Sequence, residues 1–166
     1  MTIRPALVLV LALMLGACGL QPLYSGGARG PVARTLSSVS VAPIAGEAGW
    51  LVRGALRDRL GAAGENGSPR YRVDVRLDDD ISGFGVRRDD SVTRERRTLR
   101  ARWQLVDTTT GVAVIDATAA SDIGIDALSS EVATIAAERS ALEQLSQSIA
   151  DQIITRIALH AHNTPS

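Results

Sequence analysis

The chain has 166 residues, with 18 arginines and no lysine against 18 Asp plus Glu, so its formal charge at pH 7 is +0. That balance excludes bulk attraction to nucleic acid or to an anionic membrane surface. A single cysteine excludes an internal disulfide framework, and the length suits one ordinary domain with a single core.

The chain opens with one basic side chain, Arg4, and an apolar run from Ala6 to Leu15. A run of about ten residues is too short to span a bilayer as a helix, which takes roughly twenty, and it has the layout of a cleavable secretory signal. Leu15-Gly16-Ala17-Cys18 then reads as a lipobox. Residues 1–17 are the expected cleaved signal, and Cys18 the expected lipidated first residue of the mature chain. Two or three acyl chains make a durable anchor where one does not. Gly19 stands where an aspartate favours inner-membrane retention, which points to the outer membrane. The other readings of this stretch are an ordinary signal peptide and a short membrane anchor.

Residues 18–36, rich in Gly and Pro and without a period, read as the lipidated terminus and a flexible tether. Val39, Val41 and Ile44 predict a short strand ended by Pro43 and Gly46. Val52, Leu56, Leu60 and Ala63 predict a helix over Glu47–Ala63, with Gly64 to Pro69 as its exit. Tyr71, Val73, Val75 and Leu77 alternate with Arg72, Asp74, Arg76 and Asp78, the mark of a strand with one wet face. A loop is expected over Asp79–Asp90. Val92–Val106 alternates again, with Leu99, Ala101, Trp103 and Leu105 on one side and Arg94, Arg96, Arg100 and Arg102 on the other. Asp107 to Gly111 is a turn, and Val112–Ala120 the third strand of the meander. Ser129 or Ser130 caps a long helix carrying Val132, Ile135, Leu142, Leu145, Ile149, Ile153 and Ile157. The chain frays from His160.

This order predicts an α+β two-layer sandwich, two helices packed on one face of a four-stranded sheet, with the domain over 37–160 and a disordered tail at 161–166. The helices should pack through Leu56, Leu60, Leu142, Leu145, Ile149 and Ile153 onto Val73, Val75, Leu99, Trp103 and Leu105.

Charge is uneven. Arg70 to Arg102 holds ten arginines and seven acids, whereas Trp103 to the end holds two and eight. If the second and third strands pair, Arg70, Arg72, Arg76, Arg94, Arg96, Arg100 and Arg102 share the open face, with Arg87 and Arg88 at its tip. Guanidinium forks bind phosphate bidentately, so such a face suits a phosphorylated ligand. Asp74 and Asp78 lie there too, and cross-strand Arg-Asp pairing is an ordinary way to solvate a sheet. Arg87 and Arg88 can pair equally with Asp89 and Asp90. No nucleophile elbow, phosphate-cradling glycine loop or metal-spaced Cys/His set occurs, so neither an enzyme nor a metal or cofactor site is expected. His160 and His162 read as helix-end cations, and Asp78-Asp79-Asp80 as a solvated strand end.

Cys18-Gly19-Leu20-Gln21-Pro22-Leu23-Tyr24 resembles the Cys-Gly-aromatic-x-Pro-Leu-Tyr opening of alphaproteobacterial outer-membrane lipopolysaccharide-assembly lipoproteins, the LptE family. The likeness continues through Arg94–Leu105, Asp107–Gly111 and Ala133–Ile157. It implies the same sandwich and a role without catalysis or cofactor. Family members sit inside the β-barrel LptD, help it fold, plug its lumen and bind lipopolysaccharide (LPS) on its way to the outer leaflet. The implied location is the outer membrane, lipid-anchored, on the periplasmic side and within the barrel. A basic residue between the second and third strands takes part in ligand binding in the family, and Arg87 or Arg88 matches it. The expected LPS contacts are Arg87, Arg88, Arg94 and Arg96. Leu20 departs from the family aromatic, and Ser129–Ala137 lacks the basic residue found near the start of the last helix. The alternative is a lipoprotein scaffold or anchor of another envelope complex that binds no LPS.

Overall fold

The computed structural model describes residues 30–61, 69–86, 92–126 and 130–163. In chain order these form α1 (Pro31–Ser37), β1 (Val39–Val41), α2 (Gly46–Leu60), β2 (Tyr71–Val86), β3 (Val92–Asp107), β4 (Ala113–Asp126) and α3 (Glu131–Asn163). The sheet order is β1-β2-β3-β4, with β1 parallel to β2 and the other pairs antiparallel. The α+β sandwich is as expected, with α1 as a third, short helix.

That helix corrects the reading of the chain up to Leu36 as tether. Pro31 starts it, with φ already set for helix and no N–H to leave unpaired. Val32 and Leu36, one turn apart, are both buried in the core. So short a helix draws its stability from that burial rather than from propensity.

α2 buries Val52, Ala55, Leu56 and Leu60. Gly49 is required where it packs on the preceding segment, because a Cβ would lie 2.6 Å from the Ile44 carbonyl oxygen. Gly61, at φ 75, ends the helix, and its N–H donates to the Arg57 carbonyl at 3.0 Å. Ala63, expected in this helix, lies outside the described residues.

The meander strands are longer than their apolar patterns suggest. β2 runs to Val86 through the stretch expected as a loop, and β4 runs to Asp126 rather than ending at Ala120. Alternation of burial continues in β4. In β4, Ser121, Ile123 and Ile125 turn to the helices while Asp122, Gly124 and Asp126 are exposed. The turn between β3 and β4 is as read: Asp107 Oδ1 accepts from the N–H groups of Thr109 at 2.8 Å and Thr110 at 3.2 Å, and Gly111 has φ 71. The Thr109 N–H, the largest influence, holds the Asp107 carboxyl below the usual carboxylate range.

α3, at 33 residues about 50 Å long, crosses the sheet. Leu142, Leu145, Ile149, Ile153 and Ile157 are buried against Val73, Leu99, Trp103, Leu105 and the α2 leucines, with Val75 half-buried beside them. Two expectations are corrected at its ends. Val132 and Ile135 are 77% and 58% exposed, because the buried stripe starts only at Ala141. At the other end the helix continues through His160 to Asn163, and Ala161 is buried in the core.

Both sheet edges are short of partners among the described residues. β1 covers only the first three residues of β2, and β4 pairs only with β3.

Candidate ligand-binding face

Even-numbered residues from Arg72 to Ser82 of β2, from Arg94 to Gln104 of β3 and from Asp116 to Asp126 of β4 point away from the helices. On this face stand Arg72, Arg76, Arg94, Arg96, Arg100 and Arg102, with Asp74, Asp78 and Asp80 on β2 and Asp116, Asp122 and Asp126 on β4. The central strand thus carries positive charge between two acidic neighbours.

The register decides which of these charges meet. Toward the distal end Arg94 Nε lies 3.0 Å from Asp126 Oδ1, and Arg96 Nε 3.6 Å from Asp122 Oδ2. Nearer the start of β2, Arg72 grips Asp74 bidentately, with Nε and Nη2 each 2.9 Å from a carboxylate oxygen, and this bonding raises the Arg72 pKa. Asp116 accepts from Gln104 Nε2 at 2.8 Å. Between these pairs, Arg76 stands directly opposite Arg102, and Arg100 opposite Asp78. Among the described residues Arg76, Arg100 and Arg102 form no ion pair. Arg70, just ahead of β2, lies 3.9 Å from Asp107, with its guanidinium 5.3 Å from the centre of the Tyr71 ring.

Of the expected site residues, Arg94 and Arg96 are therefore neighbours on one face, each beside an aspartate. Cys18, Arg87 and Arg88 lie outside the described residues. His160 and His162 occupy the last turn of α3. Among the described residues no group of His, Cys, Asp and Glu is placed to hold a metal ion, and no helix is long and apolar enough to cross a membrane.

The sequence reading missed a pair on the other face. Arg97 and Asp79 are odd-numbered and so turn toward the helices. Arg97 donates from Nε and Nη2 to the Asp79 oxygens at 2.9 and 2.7 Å, and from Nη1 to the Glu138 carbonyl of α3 at 2.8 Å. Its side chain is 12% exposed. Bonding to Asp79 raises the Arg97 pKa and outweighs the opposing effect of burial. Parity was the available signal, since both residues continue the inward rows of their strands. A second unread pair, Arg59 Nε to Asp151 Oδ1 at 2.6 Å, ties α2 to α3.

A family model for lipopolysaccharide assembly, LptE, matches residues 36–157. No curated protein matches the sequence. Among solved structures, a Caulobacter crescentus CB15 protein described as a lipoprotein is 26% identical, with a TM-score of 0.64 over 81% of this chain and 100% of that one. The minor lipoprotein of Acinetobacter baumannii shares the fold at 16% identity and a TM-score of 0.55, over 74% of this chain and 90% of its own. Rare lipoprotein B of Shewanella oneidensis does so at 13% identity and 0.53, over 75% and 96%.

Proposed function

Because this chain belongs to the lipopolysaccharide-assembly family LptE, we propose that it is a lipid-anchored plug and stabiliser of the LPS-assembly barrel LptD that binds LPS during its insertion into the outer leaflet. The family match over nearly the whole folded domain carries this reading. The open face supports it physically. A barrel lumen is polar, and a sheet face on which arginine and aspartate are matched in number can sit in one without a large excess of either charge. In this reading Cys18 holds the protein at the outer membrane from the periplasmic side, no catalysis takes place, and Arg87, Arg88, Arg94 and Arg96 contact the ligand.

The pairing of Arg94 with Asp126 and of Arg96 with Asp122 favours the rival, a scaffold lipoprotein whose charged face is merely solvated. Depletion separates the two. Loss of the protein is expected to lower the level of the heat-modifiable barrel and of surface LPS together. Normal levels of both would make the scaffold the better reading. Cys18→Ala is expected to abolish labelling by palmitate and to release or strand the precursor, because the acyl chains supply the membrane affinity.

A further inference from the structure

We infer that Arg76, Arg100 and Arg102 form a phosphate-binding site in the middle of the open sheet face, separate from the Arg94 and Arg96 pairs. The inference rests on the proposed function only for the bearer of the phosphate, a glycolipid headgroup; the anion chemistry stands by itself.

The observation is a charge arrangement that the free protein does not resolve. Arg76 and Arg102 are direct cross-strand partners. Side chains so placed have Cβ atoms about 4.5–5.5 Å apart, and like charges there are destabilising. Elsewhere on this face the strands avoid that: Arg72 has Asp74, Arg94 has Asp126 and Arg96 has Asp122. Two of the acids nearest the opposed pair are otherwise occupied. Asp74 spends both oxygens on Arg72, and Asp116 is held by Gln104. Asp78, opposite Arg100, forms no ion pair with it, and Asp80 stands opposite Thr98.

Arg100 lies two residues from Arg102 on the same strand, so about 7 Å along the same face. All three side chains are exposed. A shallow depression there is lined by Pro43, Arg76, Arg102, Gln104 and Asp116 among others. Arg76 and Arg102 line the depression together with Asp74 and Asp116, and Arg100 stands next along the strand opposite Asp78. Among the described residues none of the three guanidinium groups is held in an ion pair, which suits a ligand that brings its own negative charge. Phosphate fits better than a lone carboxylate, because its oxygens can engage more than one fork at once.

The test uses the full chain in a neutral detergent, titrated with pyrophosphate and, separately, with LPS. Arg76→Gln/Arg102→Gln is expected to weaken both at least about tenfold, the scale of losing charge-assisted bonds. Arg139→Gln/Arg156→Gln, which removes the same charge from the helix layer, should change either by less than about twofold. Thermal unfolding guards against misfolding: the first variant should melt no lower than the parent, since it relieves a repulsion. Arg76→Glu, which offers Arg102 an internal partner, should abolish pyrophosphate binding while raising the melting temperature. Asp78→Asn should tighten binding.

Equal losses in the two double variants would reduce the effect to bulk charge and overturn the site. A parent that binds LPS with no dependence on Arg76 and Arg102 would also overturn it and leave the proposed function intact. Binding of pyrophosphate but not LPS, lost in Arg76→Gln/Arg102→Gln, would uphold the site and overturn the LPS half of the function. Binding of neither would overturn both.

Discussion

Two Arg-Asp pairs on the meander, Arg97 with Asp79 and Arg94 with Asp126, use the same two residue types and sit within three residues of one another on β3, yet on opposite faces. Arg97 is covered by α3, makes two bonds to its carboxylate and a third to a helix carbonyl. Arg94 and Asp126 are 64% and 72% exposed and share a single bond. Coverage, which parity along the strand sets, turns one pair into a joint between layers and leaves the other as a surface contact that salt and water largely replace. Residue type alone does not separate them.

Four measurements sharpen or break that contrast. The covered face should be costliest to damage by removing bulk: Leu145→Ala is expected to destabilise by about 2 to 5 kcal/mol in chemical denaturation. A loss under about half a kcal/mol would mean that this helix face does not carry the core. Next comes Asp79→Asn, which strands the covered Arg97 charge and should cost about 1 to 3 kcal/mol, discounted from a fully buried pair because both groups retain some water. If it costs no more than an exposed pair, coverage is not the deciding variable.

The Arg59-Asp151 bond stands between the two extremes, with its guanidinium mostly covered and its carboxylate mostly exposed. The hydrogen bond from Arg59 chiefly lowers the Asp151 pKa. A carboxylate depressed in the native state stabilises fully above its unfolded pKa, about 3.9, and that contribution fades as pH falls through the lower native value. Stability measured down this range should therefore fall less in Asp151→Asn than in the parent. Identical acid limbs would deny the bond a role. Smallest of all, Arg94→Gln should change stability by about half a kcal/mol or less, and by less still in high salt. A loss comparable to that of Asp79→Asn would erase the contrast.

What the chain disclosed beforehand follows the same division. Tyr71, Val73, Val75 and Leu77 against Arg72, Asp74 and Arg76 could only be a half-wet strand, and the apolar spacing from Leu142 to Ile157 could only be a helix on a core. Asp78-Asp79-Asp80 hid the continuation of β2, because three acids in a row look like solvent until Asp79 is matched with an inward arginine on the neighbouring strand. α1 was illegible for a different reason. Its two apolar anchors, Val32 and Leu36, lie in a segment of Gly and Pro, and only tertiary burial makes them a helix. The open face was legible as a set of arginines, but pairing depends on register. That is why the sequence points to Arg94 and Arg96 as contacts and passes over Arg76 and Arg102, whose opposition only the register shows.

The long edge of β4, unshared among the described residues, bears on how the protein treats copies of itself. An exposed edge is a template for any extended chain. If two copies met antiparallel through β4 with Ala119 opposite Ala119, Asp116 of each would stand opposite Asp122 of the other, and sliding the register to bring Asp126 opposite Asp116 or Asp122 repeats the clash. The same three aspartates are accommodated when the neighbour is β3, whose row offers Arg94, Arg96 and Gln104. The edge thus penalises these registers of pairing with its own image while it accepts a basic strand, a partial self-exclusion written in charge spacing.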